Sequence, residues 1–241
     1  MADRSEEGGS GEGITIKRRT VVAFIGGAIA GSGTTVAGER LTASGSSSTK
    51  PTGAIQTQNR PYLGQQNGTV TAIYYMDFQC PFCKQFENQT LPKILENYNG
   101  SDLHFVIKPI AIFGSDSKRA ALAAHCGWEQ LTDPDKYWQW HQKLINAYDG
   151  DENSGWANTE NLVGLAEDFS GLDASQFREC HKNGSHNIRA VDDRAEGNTR
   201  GMSGTPYFIF PGDNSSETRT ISGAQPYSRF KTVINHYLNN D

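Results

Sequence analysis

Thr69-Val70-Thr71-Ala72-Ile73-Tyr74-Tyr75-Met76-Asp77-Phe78-Gln79-Cys80-Pro81-Phe82-Cys83 is the stretch around which the rest of the chain can be ordered. From Thr69 to Asp77 it alternates and is rich in β-branched and aromatic side chains, which reads as a strand. The two cysteines follow at once, and a helical pattern continues from them to about Tyr98. A Cys-x-x-Cys between a strand and a helix is a redox signature with a physical basis. The first cysteine stands at the helix start, where unpaired amide N–H groups favour negative charge and so stabilise its thiolate. Pro81 suits the first helical position, because the N–H it lacks would have no partner there. Cys83, one turn in, is less accessible and meets only its neighbour. Cys80 is therefore the expected nucleophile and Cys83 the thiol that resolves a mixed disulfide. Phe82 is counted with the site, since a side chain between the cysteines alters thiolate stability and contact with a partner.

Downstream, Leu103 to Ile107 reads as a second strand, ended by Lys108-Pro109. From Ser117 to about Lys182 the pattern turns helical: Ala120, Ala121, Ala123 and Ala124 favour a helix, and Tyr137, Trp140, His141, Leu144 and Tyr148 share one face. These aromatic residues and Trp138 read as core and helix packing. A further helix is expected from Ser185 to Thr199, then a strand Pro206 to Phe210, a short partner strand Arg219 to Ser222, and a closing helix Pro226 to Leu238. The order is an α/β layout with a helical block, at about 115–184, set into its middle. Gly201-Met202-Ser203-Gly204-Thr205-Pro206 opens the third strand. A proline at a strand's first residue is permitted, and a cis bond there would be a deliberate feature.

Asp77-Phe78-Gln79-Cys80-Pro81-Phe82-Cys83 together with Gly204-Thr205-Pro206 resembles the DsbA-like branch of the thioredoxin superfamily, over roughly residues 54–240. The resemblance implies a thioredoxin fold with an inserted helical domain. It also implies that Thr205-Pro206 is a cis-proline pair that faces the disulfide and receives the substrate backbone. Pro92 matches a proline that the family tolerates as a kink in the active-site helix. One position departs from the pattern. Many thioredoxins carry a buried carboxylate six residues before the first cysteine; here that residue is Tyr74, and Asp77 is a weak substitute for delivering a proton to the resolving thiol.

Zinc is the competing use of Cys80 and Cys83, and it would need two more ligands at sensible spacing. Cys126 and Cys180 are single and the six histidines are scattered, so no metal site is expected. For Cys126 and Cys180 a structural disulfide inside the helical block is preferred, given an oxidising setting. Two buried free thiols, or a relay pair exchanging electrons with the active site, are the other readings. His125 beside Cys126 is not expected to act as a Cys–His pair, because neighbours on a helix point in different directions.

The chain has 241 residues, 20% of them charged, and a net charge of -5, with no basic cluster beyond Lys17-Arg18-Arg19; nucleic acid is not an expected partner. Residues 1–53 read as a separate region. Gly, Ser and acidic residues dominate 1–16 and suggest disorder. Lys17-Arg18-Arg19 then precedes an uncharged stretch from Thr20 to Gly38, the layout of an export signal or an uncleaved anchor at residues 20–38, and 42–53 is a low-complexity linker. The folded part is expected over 54–241, outside the cytoplasm, either secreted or anchored. Five Asn-x-Ser/Thr sequences, beginning at Asn67, Asn88, Asn99, Asn183 and Asn214, are compatible with glycosylation there. The expected activity is thiol–disulfide exchange at Cys80 and Cys83, in the direction of introducing disulfides into exported proteins. It needs no cofactor, and a membrane redox partner would re-oxidise the site. A reductase or isomerase shares this chemistry and differs in reduction potential. A chaperone-like peptide-binding module on the same fold, or a peroxide-handling thiol enzyme, are rivals of another kind.

Overall fold

A computed structural model describes residues 54–98, 100–184, 186–212 and 217–239. The N-terminal readings for 1–53 (disorder, export signal, linker) lie outside the described residues. Among the described residues, no helix is long and apolar enough to cross a membrane.

Five strands make one sheet in the order β1-β3-β2-β4-β5: β1 Tyr62–Gly64, β2 Val70–Met76, β3 Leu103–Pro109, β4 Tyr207–Phe210 and β5 Arg219–Ser222. The central pair β2 and β3 is parallel, with Ile73 opposite Val106. The other pairings are antiparallel, Tyr74 facing Phe208 across β2 and β4. Two helices, α1 Pro81–Gln89 and α2 Leu91–Asn97, connect β2 to β3. The helical block follows β3 as α3 Ser115–Gln130, α4 Pro134–Ala147, α5 Thr159–Glu167 and α6 Ala174–Asn183. The chain returns to the sheet through α7 Asn187–Thr199 and, after β5, closes with α8 Tyr227–Leu238. This is the expected α/β sheet with a helical block inserted between its two halves.

Both faces of the sheet are covered, which is why its central strands are buried almost without interruption. One face carries an aromatic cluster: Tyr74 stacks on Phe208 at 5.0 Å between ring centroids, and Phe86 lies 4.6 Å from Phe208 and 5.2 Å from Phe230 of α8. The other face gathers Ile73, Tyr75, Val106, Tyr207 and Ile209 with Met202. There α7 is tied down by charge. Lys108 Nζ, fully buried on β3, lies 3.1 Å from Asp193 and 2.6 Å from Glu196, while Arg60 reaches Asp193 at 3.0 Å.

Several element boundaries differ from the sequence expectation. Strand β1 has only three residues and a Gly64 at positive φ, too short for any alternation to register. Strand β3 extends through Lys108 to Pro109, because the lysine is held inside by two carboxylates rather than marking an exposed end. The helix after the cysteines is interrupted at Thr90: Pro92, in the first turn of α2, has no N–H to give to the carbonyl one turn back. Helix α7 starts at Asn187, later than Ser185.

In the helical block, α3 and α4 approach so closely that a Cβ on Gly127 would lie 2.3 Å from Trp140 Nε1. The Trp140 indole is fully buried there and donates to the Ala123 carbonyl at 3.2 Å. Cys126 of α3 and Cys180 of α6 are joined in a disulfide, with Cα atoms 5.9 Å apart.

Candidate active site

Strand β2 ends at Met76, and a short turn delivers the cysteines to the start of α1. Cys80 is the N-cap residue in extended conformation and Pro81 occupies the first turn. Phe82 points outward and is 58% exposed. Cys83 and the Cys80 sulfur lie inside, and the two are not joined in a disulfide. On the opposite side Thr205-Pro206 is joined by a cis peptide bond, and the Cys80 thiol donates to the Thr205 carbonyl at 3.2 Å. Cys80 and Thr205, 125 residues apart in sequence, are thus brought together across the site.

The two thiols sit in opposed environments. Hydrogen bonding from Cys83 is the main influence holding Cys80 down at about 6, against the opposing effect of its own burial. The Thr205 hydroxyl, buried and otherwise unpartnered, and the backbone N–H groups of Cys83 and Phe82 add to this. Cys83 moves the other way, pushed up by burial first and then by the neighbouring Cys80. At neutral pH Cys80 is a thiolate and Cys83 a thiol. Because its pKa is lowered, the Cys80 thiolate stabilises the reduced form fully above the free-thiol value, and this contribution fades as the pH falls from there and is lost below about 6. Thiolate absorbance of the reduced protein is therefore expected to titrate with a midpoint near 6. A midpoint at the free-thiol value of about 8.5 would contradict this electrostatic picture.

Asp77 does not replace the missing strand carboxylate. Its two oxygens accept from Ser117 Oγ at 2.6 Å and from the backbone N–H groups of Gln79 (2.8 Å), Ile112 (2.6 Å) and Phe113 (3.4 Å). Burial raises its pKa in spite of these donors. Its work is to pin the entrance of the helical block to the active-site turn. Gln79 does the same from the next position but one: its amide donates to Ser117 Oγ at 2.8 Å, and its oxygen accepts from Asn153 N at 2.8 Å and from Trp156 Nε1 at 3.4 Å.

A second carboxylate that acts on the resolving thiol comes from α1. Glu87, one turn beyond Cys83, is 3% exposed and accepts from the Tyr74 hydroxyl at 3.0 Å. His141, expected as helix packing, reaches the same oxygen at 2.9 Å, and Gln142 donates to the other at 2.8 Å. The sequence reading missed Glu87 and Gln79. Glu87 was open to discovery, since Cys83, Phe86 and Glu87 share one helical face and an acid on a buried face needs partners.

His125 is buried and held neutral, pushed down to about 3 by burial, and packs 5.9 Å from the His186 ring. His186 lies within 4.8 Å of both sulfurs of the Cys126–Cys180 disulfide and 2.8 Å from Glu129. With the sulfurs joined to each other, neither is open to a metal.

Known proteins carry the same plan. A family model described as Thioredoxin matches residues 56–235. Disulfide bond formation protein D of Bacillus subtilis (strain 168) is 29% identical over 123 residues, 51% of this chain and 54% of that protein. The chain thus spans about half the length of this curated relative. The oxidised crystal structure of BdbD from Bacillus subtilis superposes with a TM-score of 0.67 at 24% identity, covering 76% of this chain and 95% of that one. Wolbachia pipientis alpha-DsbA1 gives 0.65 at 21%, over 77% and 94%. Taken with the sheet order, the matched span shows that the chain belongs to the thioredoxin family, and its fold, helical block included, is that of the BdbD and alpha-DsbA1 structures.

Proposed function

We propose that the protein is a disulfide-introducing oxidase acting on exported proteins. A substrate thiolate attacks Cys80 Sγ of the Cys80–Cys83 disulfide, and that bond breaks with Cys83 as leaving group. A second substrate thiolate then attacks the substrate sulfur, releasing the oxidised product and leaving Cys80 as a thiolate. Thr205 and Pro206 seat the substrate backbone beside the sulfur. Re-oxidation falls to a membrane partner that carries a disulfide of its own.

The observation that supports the oxidising direction is the opposed pair of thiols, with Cys80 at about 6 and Cys83 above its ordinary value. A stabilised Cys80 thiolate stabilises the dithiol form, and a stable dithiol makes its disulfide a strong oxidant. An extracytoplasmic setting rests on Lys17-Arg18-Arg19 and the uncharged stretch after it. The relative named Disulfide bond formation protein D is consistent with the same direction.

The deciding measurement is the reduction potential of the Cys80–Cys83 pair, taken by equilibrating the full chain in glutathione buffers. A value between about −120 and −180 mV is expected. One near about −270 mV would overturn the oxidase in favour of a reductase.

A further inference from the structure

The resolving thiol has a proton problem. Cys83 is fully buried, and burial together with its neighbour Cys80 holds it in the protonated form. Yet Cys83 must shed its proton whenever it attacks a mixed disulfide on Cys80, and must regain one after the Cys80–Cys83 bond opens. Buried as it is, the sulfur has to exchange that proton through neighbouring groups. Asp77 is committed to its four donors at the entrance of the helical block.

A line of polar atoms begins one helical turn from Cys83, on the same buried face of α1. There Glu87 Oε1 accepts from the Tyr74 hydroxyl at 3.0 Å. His141 Nε2 lies 2.9 Å from that same oxygen, and Gln142, half-buried at the edge of α4, donates to Oε2 at 2.8 Å. The groups facing Glu87 are therefore Tyr74 from β2, Cys83 on its own helix, and Tyr137, His141 and Gln142 from α4. Among the described residues its ion-pair partner is His141. A buried carboxylate is expensive unless it is paired, and here the partner is an imidazole supplied by the helical block. His141 is held in place by rings, 4.8 Å from Trp138 and 5.0 Å from Phe78.

We propose that Tyr74, Glu87 and His141 form the proton path of Cys83, so that the helical block supplies the outer end of a relay serving a thiol on the thioredoxin-type half. This inference rests on the thiol–disulfide exchange proposed above. When Cys83 attacks, its proton passes to the Tyr74 oxygen while the Tyr74 hydroxyl proton passes to Glu87. The new Cys83–Cys80 bond forms as the bond from Cys80 to the partner sulfur breaks, and the partner leaves as a thiolate with the electron pair. The reverse transfer returns a proton to Cys83 when a substrate thiolate opens the disulfide. Tyr74 is well suited to hand protons on without becoming a free tyrosinate, since burial holds its hydroxyl far above the ordinary range. In this path Tyr74 is the group that takes the proton from Cys83; Glu87 and His141 act through it as positioning residues.

The test follows both thiols in one experiment. Reduced full-length protein is mixed with Ellman's reagent in a stopped-flow instrument. The first release of thionitrobenzoate reports attack by Cys80, and the second reports Cys83 resolving the mixed disulfide. Across a pH series, Tyr74→Phe and Glu87→Gln are expected to slow the second phase near neutrality by about 10²-fold, the size of a lost general base. The loss should recover as rising hydroxide takes over, with the first phase unchanged. His141→Gln slows the second phase in the same sense by a smaller factor. A second phase that matches the unsubstituted protein at every pH in folded Tyr74→Phe and Glu87→Gln overturns the relay. If Glu87→Gln does not fold, as judged by near-UV circular dichroism, Tyr74→Phe decides alone, because it removes one oxygen and keeps the ring against Phe208. Absence of the first phase in the unsubstituted protein would instead strike at the exchange chemistry itself.

Discussion

Replacing Cys80 by serine is expected to reduce thiol–disulfide exchange to the level of buffer alone. A serine hydroxyl at this position is not ionised near neutrality and forms no disulfide, so neither the attack nor the stored oxidising bond survives. Cys83 cannot take over, being fully buried and held as a thiol. The companion substitution, Cys83→Ala, has the opposite signature. Cys80 loses its main hydrogen bond, from the Cys83 thiol, but keeps those from Thr205 and the helix start, so it still attacks a client disulfide, while nothing resolves the product. Incubated with disulfide-bearing clients, Cys83→Ala should accumulate as mixed disulfides that run as reducible adducts on a gel. Exchange surviving in Cys80→Ser would remove the nucleophile from the argument. A Cys83→Ala protein that forms no adducts while still binding unfolded peptide would favour the chaperone-like module.

The second large effect lies away from the chemistry. Changing both Cys126 and Cys180 to serine is expected to lower stability by about 4 kcal/mol, from the loop-closure entropy of a cross-link with a sequence separation of 54. For a domain of this size that corresponds to a drop in Tm of roughly 8–16 °C. Calorimetry on the double variant would show it, and the double variant avoids leaving an odd thiol. Exchange at Cys80 should continue in the folded fraction, because the disulfide ties α3 to α6 and takes no part in the active-site contacts. An unchanged Tm would mean that the helical block is already constrained in the unfolded chain, and the entropic account would fail.

What could be read in advance follows a simple division. Features declared by local chemistry were legible: the Cys-x-x-Cys after an alternating strand, the Pro206 that opens β4, and the long aromatic faces of the helical block. Features made by contacts between distant segments were not. Strand β1 is too short to carry a pattern and exists because β3 offers it an edge. Lys108 looked like the polar end of a strand, whereas Asp193 and Glu196, both on α7, bring it inside. Asp77 read as a weak substitute proton donor and Gln79 only as part of the motif; the partners that define them are Ser117, Asn153 and Trp156, which the fold returns to them. His141 showed only that it belonged to a buried face. That the face met Glu87 is a fact of tertiary packing.

The buried cluster at Lys108 also bears on how the molecule breathes. Its ammonium is fully enclosed and answered by two carboxylates on α7, while the Tyr75 hydroxyl completes the group by donating to Glu196. Lifting α7 off the sheet without unfolding the sheet would leave that ammonium uncompensated, at about 3–5 kcal/mol. By that measure such an opened form holds fewer than about one molecule in a hundred, since 1.4 kcal/mol is about a factor of ten. Helix α7 is the segment through which the chain leaves the helical block and returns to β4. The inserted block is thus latched to the sheet at its exit by the ion pairs of Lys108.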